Sequence, residues 1–153
     1  MTEDAIGRYR RLVRQAQADE RVPALSVALH RGDRPLWTCQ VGGEPGRLFR
    51  LGSITKTFTG LALAIADRAG RLSLDDPLRD HLPSNFPVPT RGDKPITLAH
   101  LSTHASGLPQ LPPGLLEDPE LDPKDPYAHF TEAKLITALG KTTLLSDPGT
   151  KYL

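Results

Sequence analysis

Leu51-Gly52-Ser53-Ile54-Thr55-Lys56-Thr57-Phe58-Thr59-Gly60-Leu61-Ala62-Leu63-Ala64-Ile65-Ala66 is the stretch that decides how this chain is read. It places a hydroxyl and an amine one helical turn apart, and Lys56 is its sole ionisable side chain. Apolar residues nearly all round predict a helix from Ser53 to about Ala69, buried in the interior and stopped at Gly70 by a glycine cap. A lone lysine in such a helix is expected to be partly desolvated. Desolvation favours the neutral amine, which serves as a base, and a base one turn from a serine activates that serine without histidine. The structural alternative is that Ser53 is a helix N-cap and that Lys56 reaches out to solvent.

Working outward, the N-terminal side reads as a helix and a hairpin. Ile6, Tyr9, Leu12, Val13 and Ala16 recur at helical spacing between Thr2 and about Glu20, an amphipathic helix expected to lie on a sheet. Arg8, Arg10, Arg11 and Arg14 form the solvated face of that helix. Pro23 ends the pattern. Ala24 to His30 predicts a strand, Arg31-Gly32-Asp33-Arg34 a turn, and Leu36 to Val41 the returning strand. The repeated triplets Arg31-Gly32-Asp33 and Arg91-Gly92-Asp93 read as turn chemistry rather than as recognition sequences. After the glycine-rich Gly42-Gly43-Glu44-Pro45-Gly46, residues Arg47 to Leu51 form a short strand or an extended lead-in to Ser53.

On the C-terminal side, Leu72, Leu74 and Leu78 run through a turn in which Asp75 or Asp76 is expected to cap a short helix begun by Pro77. Ile96 to His104 and Thr131 to Leu139 predict two further helices, the second ending near Gly140. Ten of the fifteen prolines fall between Pro83 and Pro126, so this part is rich in loops.

Composition narrows the function. A chain of 153 residues, 38% hydrophobic, fits one domain. Nineteen basic against eighteen acidic residues, with no one-signed block, give no electrostatic footprint for nucleic acid. The single cysteine, Cys39, rules out an intrachain disulfide and reads as a packed strand residue. No apolar segment is long enough for a membrane span, and the first residues lack a basic region followed by an apolar run, which predicts a cytoplasmic chain. His100 and His104 have the spacing of a zinc helix, but Leu101 stands where that motif needs glutamate, so packing or hydrogen bonding is the better account. Gly-x-Ser-x-Gly, Walker and dinucleotide loops are all missing. No cofactor and no metal are expected.

Leu48-Phe49-Arg50-Leu51-Gly52-Ser53-Ile54-Thr55-Lys56-Thr57-Phe58-Thr59 resembles the nucleophile segment of the serine β-lactamase-related family, which includes class C β-lactamases, D-alanyl-D-alanine carboxypeptidases and esterases of the same fold. Three further stretches agree in order: Gly70-Arg71-Leu72-Ser73-Leu74-Asp75-Asp76-Pro77, Ile96 through Pro109, and Pro148-Gly149-Thr150. The resemblance runs from Pro23 to Leu153. It implies a fold of the α/β (α+β) class, an antiparallel sheet flanked by helices and joined to a mostly helical region. Residues 1–52 would carry the first helix and strands, and residues 53–153 the nucleophile helix and part of the helical region.

The resemblance also implies a mechanism. Ser53 attacks the carbonyl of a β-lactam, a D-Ala-D-Ala peptide or an ester, Lys56 takes or relays its proton, and the Ser53 amide forms half of an oxyanion hole. Gln110 is similar to a substrate-contacting glutamine of some class C enzymes. The family's Tyr-x-Asn would begin at the residue following Leu153, Tyr152 comes too early for that role, and no Lys-Thr-Gly or His-x-Gly strand follows. The closing C-terminal strands are therefore expected to lie outside these residues, which would leave sheet edge and apolar surface open. The substrate is a small molecule or peptide with an acyl group, and a complementary C-terminal half is the macromolecular partner implied. A non-catalytic interaction module and one half of a split enzyme remain open as readings.

Overall fold

The computed structural model describes residues 3–19, 22–44 and 46–152. Thr2, Glu20, Pro45 and Leu153, which the sequence expectations include, lie outside them. The chain is of mixed α and β class and divides into two compact units, residues 1–51 and 52–153.

In the first unit, α1 (Glu3–Ala18) packs on an antiparallel hairpin of β1 (Leu25–Arg31) and β2 (Arg34–Val41). Alternation sets the register. Leu25, Val27 and Leu29 pair with Val41, Cys39 and Trp37, so the apolar residues of both strands share one face. Among the described residues of this unit, Val13 of α1 and Trp37 of β2 are the buried hydrophobic ones. Cys39 is half-buried in its strand, and Arg8, Arg10, Arg11 and Arg14 are exposed, both as the sequence predicts.

The returning strand begins two residues earlier than the predicted Leu36. Proline cannot donate to a ladder, which argues against a strand at Pro35, but a register shift between Leu29 and His30 accommodates it. Residues 47–51 have no regular secondary structure, so the strand reading does not hold.

In the second unit, a 3₁₀ turn (Gly52–Ile54) runs into α2 (Thr55–Arg68). Its end is a Schellman motif: the Gly70 amide donates to Asp67 O at 2.9 Å and the Arg71 amide to Ala66 O at 3.0 Å, with Gly70 at φ +64°. The predicted burial of this helix is not observed. No residue of α2 is buried, and Phe58, Leu61 and Ile65 are 60%, 58% and 61% exposed. The apolar pattern is present, and on it Gly60, Leu63 and Ala66 are half-buried while Phe58, Leu61 and Ile65 are exposed.

The core of this unit comes instead from loops and from α4 (Glu132–Lys141). Ile96, Leu115, Ala138, Leu144 and Pro148 are its buried apolar residues. Thr131 caps α4 by accepting from the Lys134 amide. The helix predicted over Ile96 to His104 is shorter, α3 (Leu98–Ser102).

Asp76 does not cap the short 3₁₀ turn Leu78–His81, where Pro77 is the N-cap residue and no side chain caps it. Its Oδ2 accepts instead from the Ser73 amide at 2.8 Å and lies 2.9 Å from His81 Nε2. The carboxylate closes the turn before Pro77 and is held below its ordinary range, first by the Ser73 amide and then by His81. No helix among the described residues is long and apolar enough to cross a membrane.

Candidate active site

Three sets of hydrogen bonds bring the site together, all within residues 52–153. Asp67, near the end of α2, accepts from the Leu74 amide at 3.1 Å. Leu74 O in turn accepts from the Ala99 amide of α3 at 2.8 Å, and Asp76 O from the Leu98 amide at 3.1 Å. Finally, Gly149 donates to Ala105 O at 2.8 Å and Leu145 to Gly107 O at 2.7 Å, which lays residues 144–149 against the turn after α3. These bonds, most of them between residues far apart in sequence, fix the order α2, α3, turn and C-terminal segment around one groove.

Gly107 is required at this junction. It has φ +79°, and a Cβ there would lie 2.2 Å from Ser146 O, a backbone atom. Only glycine permits that approach.

The groove has a volume of about 1050 Å³ and is lined by Ser53, Lys56, Gln110, His104, Tyr127 and Tyr152, among others. Lys56 Nζ donates to Ser53 Oγ at 3.2 Å. Ser53 does not cap α2. Ile54 holds the N-cap position with helical backbone angles and no side-chain capping bond, so the N-cap reading of Ser53 fails. Lys56 is exposed, where the sequence predicts a partly desolvated amine. Gln110 is also exposed, on the groove wall.

The two histidines at zinc-helix spacing part company. His100 completes a capping box, with Nδ1 accepting from the Thr97 amide at 3.2 Å while Thr97 Oγ1 accepts from the His100 amide at 3.3 Å. The Thr-x-x-His spacing was the signal for this role. His104 lies beyond the end of α3, and its ring meets Tyr152 edge to face, centroids 5.6 Å apart. Sequence reasoning gave neither His104 nor Tyr152 a place in the groove. Among the described residues, no group of three His, Cys, Asp or Glu is placed to hold a metal ion.

A second, smaller cavity of about 330 Å³ lies between α4 and the Pro113–Asp118 loop. Lys134 of α4 reaches Asp118 at 2.8 Å and also pairs with Glu120. The Lys134 ammonium, followed by the Glu120 amide, holds Asp118 below the usual carboxylate range, and Asp118 and Glu120 raise Lys134.

The chain belongs to the Beta-lactamase family, whose sequence profile matches residues 9–153. It is 42% identical over 65 residues to the D-alanyl-D-alanine-carboxypeptidase/endopeptidase AmpH of Escherichia coli (strain K12), a match covering 42% of this chain and 17% of that protein. It is 38% identical over 110 residues to a Beta-lactamase of Yersinia enterocolitica, covering 65% of this chain and 28% of that one. The octameric penicillin-binding protein homologue from Pyrococcus abyssi superposes with a TM-score of 0.69 at 25% identity, over 97% of this chain and 35% of the homologue. The chain therefore matches well under half the length of each of these relatives.

Proposed function

We propose that this chain carries the nucleophile of a serine acyl hydrolase, and the observation behind the proposal is the 3.2 Å bond between Lys56 Nζ and Ser53 Oγ on the wall of the groove. Ser53 Oγ attacks the carbonyl carbon of a β-lactam, a D-Ala-D-Ala amide or an ester, and its proton passes through the Lys56 amine to the leaving nitrogen or oxygen as the C–N or C–O bond breaks; an acyl-serine forms, with the opened ring still attached in the β-lactam case. Water then releases the acyl group and the free serine. The Ser53 amide, at the head of α2, supplies one oxyanion donor. Gln110, which also lines the groove, contacts the substrate.

A lysine serves as a base only as the neutral amine. Removing water from an amine favours the neutral form, so full activity requires a cover over the exposed face of α2. A complementary C-terminal portion, carrying the Tyr-x-Asn and Lys-Thr-Gly or His-x-Gly elements that these 153 residues lack, is the cover proposed. Exposed Phe58, Leu61 and Ile65 support this reading. Turnover by residues 1–153 alone is expected to be weak.

Incubation of the purified chain with a fluorescent penicillin and with an activated ester tests the proposal. Slow labelling or ester cleavage that Ser53→Ala abolishes is expected. Chemistry that survives Ser53→Ala refutes the nucleophile assignment, and rapid Ser53-dependent turnover by the chain alone refutes the need for a complement.

A further inference from the structure

Two helices of the second unit end in the same way, and the chain treats them differently. In α2 the residue after the C-cap is Gly70, at φ +64°. In α3 the same position is His104, at φ +56°, with its amide donating to Leu101 O at 3.3 Å and the Ala105 amide donating to His100 O at 2.8 Å. Both are Schellman motifs, whose left-handed residue is usually glycine and sometimes asparagine. Any side chain with a Cβ costs roughly 1–2 kcal/mol in this conformation. His104 is the sole non-glycine residue at positive φ among the described residues.

A fold that needed only the turn would be better served by glycine, so the imidazole itself accounts for the cost. That ring is not part of the core. It is exposed, lines the groove that holds Ser53, and touches Tyr152, which is itself 79% exposed. The left-handed backbone fixes where the side chain leaves the chain, and Tyr152 meets its face or edge at an interplanar angle of 65°. Around the pair the groove continues in Leu101, Leu108 and Tyr127, and among the described residues lining it Lys56 is the one charged side chain.

We infer that His104 is a specificity-determining residue that forms with Tyr152 an aromatic wall for a flat apolar group, a phenyl ring or its equivalent, on the acyl substrate. Two rings in edge-to-face contact present both a ring face and a polarised edge, the surfaces on which a third aromatic ring packs favourably. This inference rests on the reading of the groove as the acyl site. It adds the chemistry of the group next to the reacting carbonyl.

The test uses two unreactive amides, phenylacetamide and acetamide, titrated into the full chain and into Ser53→Ala. The readout is the His104 imidazole Cε1–H resonance, assigned by its disappearance in His104→Asn, together with the dissociation constants. Phenylacetamide is expected to bind about fivefold more tightly than acetamide, the size of a good aromatic contact, to shift the His104 resonance, and to do both equally in Ser53→Ala. In His104→Asn, which tolerates the left-handed backbone, and in Tyr152→Leu, at an exposed position, the preference is expected to fall to parity.

Equal affinity for the two amides in the unaltered chain, no shift of the His104 resonance up to the solubility limit, or a preference intact in both variants overturns the inference. His104→Gly adds a check on folding, since its melting temperature should equal or exceed that of the parent. Ser53-dependent labelling separates the two readings. Labelling without a phenyl preference sinks the aromatic wall alone, and a phenyl preference without labelling sinks the hydrolase reading and leaves the wall standing.

Discussion

Lys56 Nζ stands 3.2 Å from Ser53 Oγ, one turn along the helix that begins beside the serine, and the serine hydroxyl is not engaged in capping that helix. Replacing Lys56 by methionine keeps an unbranched side chain and removes the amine. Acylation by a fluorescent penicillin is expected to slow by about 10²–10⁴-fold, the usual contribution of a positioned base, with the helical circular dichroism unchanged. Lys56→Arg should not restore the rate, because a guanidinium keeps its proton. Full acylation by Lys56→Met would remove the lysine from the mechanism.

Gly107 and Gly70 predict a graded response to alanine. Both have positive φ, but a Cβ at Gly70 meets open space while one at Gly107 lies 2.2 Å from Ser146 O. Urea unfolding should show Gly70→Ala costing about 1 kcal/mol, the left-handed penalty alone, and Gly107→Ala costing at least about 1–3 kcal/mol more for the steric conflict. Equal losses in the two variants would mean that the turn at Gly107 can move away from residues 144–149.

The Asp118–Lys134 pair predicts where acid and base weaken the second unit. Asp118 is held below its ordinary range in the folded chain, so its contribution is present above about pH 4, the unfolded carboxylate value, and is lost as pH falls through the folded value. Lys134 is raised, so its contribution is present below about pH 10.4 and is lost as pH rises through the folded value. Asp118→Asn should therefore lower the melting temperature most near neutral pH. The difference from the parent should shrink at both extremes, and a constant difference across the range would contradict the pairing.

The exposed face of α2 predicts tolerance where a buried helix would allow none. Leu61→Lys and Ile65→Lys should each change the stability of this chain by no more than about 0.5 kcal/mol, as surface substitutions do, and should reduce self-association measured by light scattering. Losses of several kcal/mol would show that the face is covered in solution.

Much of the fold was legible in short-range pattern. The apolar run from Ala24 to His30 marked β1, and Gly70 marked the stop of α2. The Ser53–Lys56 pair could be read because three residues of helix bring the two side chains together whatever surrounds them. Burial of α2 was misread for a related reason. Periodicity records which residues are apolar, and it carries no information about what is present to cover them. Asp76 was misread because an aspartate before proline suits a cap and a closed turn equally, and the choice falls to the nearby Ser73 amide and His81.

By itself, then, the sequence determined what depends on neighbours along the chain: the hairpin, the glycine stop of α2, and the serine with its lysine one turn away. The tertiary structure decided what depends on residues far apart in sequence. It brought Gly107 against Ser146, set His104 beside Tyr152 on the wall of the groove, and left Phe58, Leu61 and Ile65 of α2 exposed. The physical reason is that local backbone geometry follows from side chains a few positions apart, whereas contact and burial require partners delivered by the whole folded chain.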